Sequence, residues 1–155
     1  MQTDHSKEIT LHVNGERTNV YVRYADTLLA TLREKLGLTG AKAGCLNGDC
    51  GTCTVEIDGT PIKACLMLAI EAEGKQITTV EGLQDAEIQK AFIEQYAFQC
   101  GYCTPGFIMK CNALLRKHPD ADQELIKEWL ESNICRCTGY AEIELALQSL
   151  LTKSK

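Results

Sequence analysis

The sequence contains no apolar run approaching the 18 or more residues that a membrane-spanning helix needs. It also has no basic excess: 16 Lys and Arg stand against 21 Asp and Glu, a net charge of −5. That balance argues against a nucleic-acid surface, which requires a basic patch. There is no GxGxxG dinucleotide fingerprint and no phosphate-binding P-loop. No Cys-His pair has hydrolase character, and no repeat of 20–50 residues or low-complexity linker divides the chain. Met1 to Glu8 is polar, without the apolar stretch of a secretory signal, and the expected location is cytoplasmic. At 155 residues, 45% hydrophobic and 24% charged, the composition is that of an ordinary globular protein of one domain or two small ones.

What the sequence has in quantity is cysteine, 9 residues in 155. An odd count cannot form a complete intrachain disulfide framework, and clustered cysteines in a reducing compartment more often hold metal. The first eighty residues read as mostly β. Ile9, Leu11 and Val13 alternate with polar neighbours, Asn14-Gly15 suits a tight hairpin turn, and Val20 and Val22 suit the returning strand. Asp26 or Thr27 can cap a helix with Leu28, Leu29, Leu32 and Leu36 on its apolar face, ended by Gly37. A second hairpin is expected from Thr54 to Ala64 around Asp58-Gly59, and a last strand over Ile77–Val80. Beyond about residue 84 the period becomes helical. Ile88, Ala91, Phe92 and Tyr96 mark one helix. Thr104-Pro105 starts a second, which carries Phe107, Ile108, Cys111, Leu114 and Leu115 and stops at His118-Pro119. Leu125, Ile126, Trp129 and Leu130 mark a third, and Ile143, Ala146, Leu147, Leu150 and Leu151 a fourth. The change of period predicts a domain boundary near residues 81–86, dividing the chain into 1–82 and 83–155.

Cys45, Cys50, Cys53 and Cys65 have the spacing C-x4-C-x2-C-x11-C, whose first three members match the plant-type [2Fe–2S] pattern. Two ferric ions, two sulfides and four thiolates sum to a formal −2, so the surrounding backbone must supply N–H donors. Gly44, Gly48 and Gly51 permit that close approach. Structural zinc sites prefer a C-x2-C spacing with a second such pair farther along, and the x4 gap and glycine density of this loop favour iron–sulfur instead. Cys100, Cys103, Cys135 and Cys137 form a second group, C-x2-C then C-x-C. Zinc competes there on spacing alone, although each pair leads directly into a helix N-terminus, whose partial positive charge suits an anionic cluster.

Three stretches then carry a resemblance: Gly44-Cys45-Leu46-Asn47-Gly48-Asp49-Cys50-Gly51-Thr52-Cys53, Gln99-Cys100-Gly101-Tyr102-Cys103-Thr104-Pro105-Gly106, and Ile134-Cys135-Arg136-Cys137-Thr138-Gly139-Tyr140. With these the chain resembles the iron–sulfur small subunit of the xanthine dehydrogenase family of molybdenum hydroxylases. The resemblance implies an α+β chain: an N-terminal plant-ferredoxin-like β-grasp domain, then an all-α four-helix domain, each with one [2Fe–2S] cluster. It implies a hetero-oligomer with a large molybdopterin subunit and an FAD subunit. The helical-domain cluster would lie next to the molybdopterin, and the other on the flavin side. Gln99 matches the glutamine that contacts the pterin, and Cys137 the ligand nearest to it.

The remaining candidates have plainer readings. Cys111 falls on an apolar helix stripe and reads as a small buried hydrophobe. His5, His12 and His118 share no metal spacing, so all eight ligands should be thiolates. Arg136, between two ligands, would either raise a cluster's potential or sit at a subunit contact. Trp129 reads as core, and Met1–Lys7 and Thr152–Lys155 as chain ends. The sequence therefore points to an electron-transfer subunit without its own substrate site. A free-standing two-cluster ferredoxin and a zinc-stapled interaction module are the alternatives. The substrate of the complex is not written in this chain; a purine such as xanthine is the weakly favoured expectation.

Overall fold

The computed structural model describes residues 6–84 and 87–151; Thr152–Lys155, Met1–His5 of the expected chain end Met1–Lys7, and part of the expected boundary (Asp85, Ala86) lie outside the described residues, whereas Ser6 and Lys7 belong to the first strand rather than to a chain end. The first half begins with β1 (Ser6–Val13) and β2 (Glu16–Arg23), an antiparallel hairpin in which Val13 faces Glu16. Asn14 and Gly15 turn it with φ of 54° and 85°, a left-handed pair that asparagine and glycine tolerate. β3 (Thr54–Ile57) and β4 (Thr60–Lys63) form the second hairpin, and β5 (Gln76–Thr78) joins the two. The sheet order is β2-β1-β5-β3-β4, with β5 parallel to β1 and antiparallel to β3. The expected last strand is thus shifted, because Val80–Gly82 coils into a 3₁₀ turn.

The helix crossing this sheet starts at α1 (Leu28–Ala30), where Thr27 Oγ1 accepts from Ala30 N–H at 3.1 Å. It then widens into a π turn over Thr31–Lys35, in which Leu36 N–H reaches Thr31 O, five residues back. Leu28, Leu29 and Leu32 bury against Ile9, Leu11, Val22, Val55 and Ile77 to form the core of this half. Asp26 is buried at the head of the helix. Its carboxylate accepts from Lys35 Nζ and Arg23 Nε at 2.8 Å each, and from Arg23 N–H at 2.9 Å.

The second half contains α2 (Glu87–Glu94), α3 (Thr104–Lys117), α4 (Gln123–Leu130) and α5 (Ala141–Leu151). Phe92, Phe107, Leu114, Ile143 and Leu147 build a separate core between them. α2 stops before Tyr96, contrary to the sequence expectation: Ala97 N–H closes back on Phe92 O at 2.9 Å, Tyr96 takes φ 52°, and its side chain is 81% exposed. Pro105 sits in the first turn of α3, where the missing N–H is harmless. Asp122 caps α4 by accepting from Leu125 N–H at 2.9 Å. Trp129 is partly buried: its Nε1–H donates to Lys110 O at 2.9 Å and its ring lies under the Lys110 ammonium, so it holds α4 to α3.

The two halves meet where α3 lies on β3. All four β3 residues are buried, Glu56 included. The Glu56 carboxylate accepts from Arg116 at 2.5 Å, and Asn112 Nδ2 lies 3.4 Å away. β3 therefore has no solvent face, which explains a buried carboxylate on a strand whose alternation reads as half-exposed.

The Asp26 carboxyl is held down to about 2, first by the Lys35 ammonium and then by the Arg23 N–H, against the opposing effect of burial. A carboxylate depressed on folding contributes stability above its unfolded pKa, near 4, and loses it as pH falls towards 2. Asp26→Asn is expected to lower unfolding stability by roughly 1–3 kcal/mol. Chemical denaturation should show that difference constant from pH 8 to pH 5.

Candidate metal centres

The first cysteine group lies on the loop between the π turn and β3, with Cys65 just after β4. Cys45 N–H donates to Cys50 Sγ at 3.4 Å, and Cys50 N–H donates to Cys45 Sγ at 3.3 Å. Thr52 Oγ1 is 3.2 Å from Cys50 Sγ. A Cβ at Gly44 would fall 2.6 Å from Cys50 Sγ, so no larger residue fits there without moving the thiol. Lys63 Nζ donates to Gly48 O and, at 3.4 Å, to Asp49 O, tying the loop to β4. The Cys45 thiol is held down to about 6, chiefly by backbone N–H donors from Cys50 and Asn47. The Cys53 thiol, buried beside Cys65, is pushed up to about 12 by that burial and by Cys65 itself. A loop that turns N–H groups onto its own sulfurs suits bound thiolates of an anionic cluster.

The second group joins two helix starts. Cys100 and Cys103 precede α3, and Cys135 and Cys137 precede α5. Cys100 Sγ and Cys137 Sγ are 3.6 Å apart. Two thiolates at tetrahedral positions on one metal, each about 2.3 Å from it, would lie about 3.8 Å apart. Burial first, and then the neighbouring Cys135, pushes the Cys103 thiol up to about 12. Burial also acts to raise the Cys135 thiol, but the nearby Thr138 hydroxyl and N–H outweigh it and bring the thiol below its ordinary value. Thr138 N–H lies 3.3 Å from Cys135 Sγ. Tyr140 folds back so that its hydroxyl accepts from Cys135 N–H at 3.0 Å and lies 3.1 Å from Cys135 O.

Two thiol pairs are thus drawn together, Cys45 with Cys50 through exchanged N–H···S bonds and Cys100 with Cys137 at 3.6 Å, while Cys53 neighbours Cys65 and Cys103 neighbours Cys135. Among the described residues, no three or more His, Cys, Asp or Glu side chains are grouped as ligands of a single ion. Paired thiols fit a two-iron, two-sulfide group, in which each iron takes two protein ligands and two sulfides.

Gln99, Cys100, Arg136 and Cys137 are all exposed and Cys111 is fully buried. His12 and His118 lie in neither group. Several residues that matter here escaped the sequence reading. Thr52 and Lys63 had no signal beyond adjacency to the loop. Tyr140 stood in a quoted motif without a role. Asn133 and Gly106 join the two loops: Asn133 Nδ2 donates to Gly51 O at 3.0 Å, and a Cβ at Gly106 would meet that same oxygen at 2.3 Å.

Comparison with known proteins agrees with two such centres. The family described as 2Fe-2S iron-sulfur cluster binding domain matches residues 11–84, and the family described as [2Fe-2S] binding domain matches residues 79–148. The chain is 44% identical over 144 residues to the nicotinate dehydrogenase small FeS subunit of Eubacterium barkeri, covering 90% of this chain and 92% of that protein. It is also 44% identical over 140 residues to a probable xanthine dehydrogenase subunit of Bacillus subtilis, covering 88% and 81% of the two chains. Among solved structures it superposes on a chain of quinoline 2-oxidoreductase from Pseudomonas putida 86 with a TM-score of 0.92 and 38% identity, covering 97% and 96% of the two.

Two substitutions separate structural from ligating roles. Gly44→Ala should displace the Cys50 thiol and deplete iron from the first group while leaving the second loaded, as metal analysis and visible absorption would report. Cys111→Ala should leave the iron content unchanged and lower stability by roughly 1 kcal/mol through lost packing.

Proposed function

The chain belongs to the iron–sulfur small subunits of the xanthine dehydrogenase (molybdenum hydroxylase) family, and on that premise we propose a route for electrons through it. It is an electron-transfer subunit of a multi-subunit molybdenum oxidoreductase, with two [2Fe–2S]-binding regions and a large catalytic partner. In our reading, residues 1–82 form a plant-ferredoxin-like β-grasp domain with Cys45, Cys50, Cys53 and Cys65 as ligands. Residues 83–155 form an all-α four-helix domain with Cys100, Cys103, Cys135 and Cys137. A [2Fe–2S] cluster held by each set of cysteines would supply one-electron transfer. Electrons enter from a molybdopterin subunit at the helical end and leave for an FAD subunit at the other. The residues that select the substrate lie on another chain; among purines, aldehydes, N-heterocycles and carbon monoxide a purine is favoured, and the complex works in the cytoplasm.

One contact carries this reading above the rest. Ile134 N–H donates to Cys50 O at 3.0 Å. Cys50 belongs to the first group, and Ile134 is bonded to Cys135 of the second. A single hydrogen bond therefore joins the backbones of the two cysteine loops, ending on a ligand of one group and next to a ligand of the other. The chain does the rest by shielding and orienting. Cys53, Cys65 and Cys135 are buried, which keeps water from the interior thiols, while Cys100 and Cys137 stay open at the far end.

Apolar side chains are also exposed near it in sequence: Ile93, Tyr96 and Phe98, just before Gln99 and Cys100, and Tyr102, whose hydroxyl donates to Ala43 O at 2.9 Å. Such exposed side chains fit a surface covered by another chain, which favours the subunit over a free-standing ferredoxin. On this reading Gln99 hydrogen-bonds across the interface to the pterin, and Cys137 is the ligand nearest it.

The anaerobically purified complex should contain about four irons and four acid-labile sulfides per small subunit. Gln99→Ala should leave that iron in place and slow reduction of the helical-domain cluster by substrate, followed by stopped-flow absorbance. Stoichiometric zinc, or a chain that elutes as a monomer with no molybdenum, would overturn the proposal.

A further inference from the structure

Besides the Tyr102 hydroxyl, which donates to Ala43 O at 2.9 Å, the two cysteine loops meet at a crowded point, and a buried amide occupies it. Asn133 is 3% exposed and stands two residues before Cys135. Its Nδ2 donates to Gly51 O at 3.0 Å, its Oδ1 accepts from Ser132 Oγ at 3.0 Å, and its backbone N–H donates to Leu130 O at 3.0 Å. A carbonyl can only accept, so the amide nitrogen must be the end that faces Gly51. Gly51 follows Cys50 directly, and the next residue of the second loop, Ile134, bonds Cys50 O. Two consecutive residues before Cys135 therefore grip two consecutive carbonyls of the first cysteine loop.

The approach leaves no space for side chains. A Cβ at Gly51 would lie 2.4 Å from Asn133 Cγ. A Cβ at Gly106, three residues after Cys103, would lie 2.3 Å from Gly51 O and 3.0 Å from Asn133 Nδ2. Gly51 O is already satisfied without the asparagine, because it accepts from Thr54 N–H at 3.1 Å and from Thr54 Oγ1 at 2.6 Å. The Asn133 amide is thus not needed to pair that carbonyl. What it adds is a link between loops, made in a dry interior where a hydrogen bond is stronger and more rigid than in water.

We propose that Asn133 is a positioning residue for electron transfer between the two iron–sulfur groups, locking their loops at a fixed separation through Gly51. The inference rests on the proposed function, since it concerns the passage between the two clusters. The loops could hold their own thiols without this link. Their spacing relative to each other, on which transfer between them depends, would relax.

The test uses the complete multi-subunit enzyme carrying Asn133→Ala, with Gly106→Ala as an independent variant that pushes on the same carbonyl from the opposite side. Iron per small subunit and the EPR spectrum of the fully reduced enzyme are measured, because the magnetic splitting between two reduced clusters reports their separation. Both variants should keep full iron and each cluster's own g values. Both should show an altered splitting and a several-fold slower arrival of electrons at the first cluster after the second is reduced. Wild-type splitting in both variants at full iron would overturn the proposal. Loss of iron from either group in Asn133→Ala would overturn it too, by assigning the residue to cluster assembly. A wild-type enzyme lacking two [2Fe–2S] signals would instead contradict the proposed function itself.

Discussion

An anionic cluster held by thiolates needs backbone N–H groups aimed at its sulfurs, and backbone can come that close only where side chains are absent or turned away. Gly44 stands against Cys50 Sγ, and Gly51 leaves its carbonyl open to Asn133. The same constraint explains why the loop from Gly40 to Cys53 has no regular secondary structure among its described residues. Its hydrogen bonds go to sulfur, to neighbouring loops and across its own base, where Lys42 N–H donates to Thr52 O at 3.0 Å, rather than into a ladder or a helix. The sheet and its crossing helix anchor the two ends of that loop, and Lys63 fastens its middle.

The second half applies the same logic by different means. Its thiols sit at the starts of α3 and α5, where free N–H groups and the helix dipole already favour negative charge. It then packs α3 across β3, which brings Arg116 to the buried Glu56 and seals the strand's second face. Burial is consequently uneven along the chain. Cys53, Cys65 and Cys135 lie inside and Cys100 and Cys137 outside. A conductor between fixed partners needs that gradient: dry where charge crosses between the halves, open where the next chain must reach.

Much of this was legible in the residues. Asn14-Gly15 marked the first turn, Thr27 the helix cap, Pro105 the start of α3, and the apolar stripe the burial of Cys111. The spacing of the first cysteine group named its chemistry, and the second group needed the family resemblance to set zinc aside. What remained hidden depended on contacts distant in sequence. Glu56 alternates like an outward-facing strand residue and is buried only because α3 covers it. Asn133 carries no periodic signal, and its role exists only where two loops meet. Tyr96 kept the helical spacing of α2, but the chain turns left-handed there and leaves the ring in solvent. The π turn after α1 has no sequence signature either, since Thr31–Lys35 reads as ordinary helix.

Mössbauer spectroscopy of the ⁵⁷Fe-enriched complex tests the central claim most directly, namely that these paired thiols hold two separate two-iron groups. As isolated, all iron in the small subunit should appear as high-spin ferric ions in tetrahedral sulfur, coupled in pairs to a diamagnetic ground state. Replacing Cys65 or Cys103 with alanine should each remove or alter one half of that signal and spare the other. Magnetically isolated iron, or a single population that both substitutions abolish together, would contradict the account.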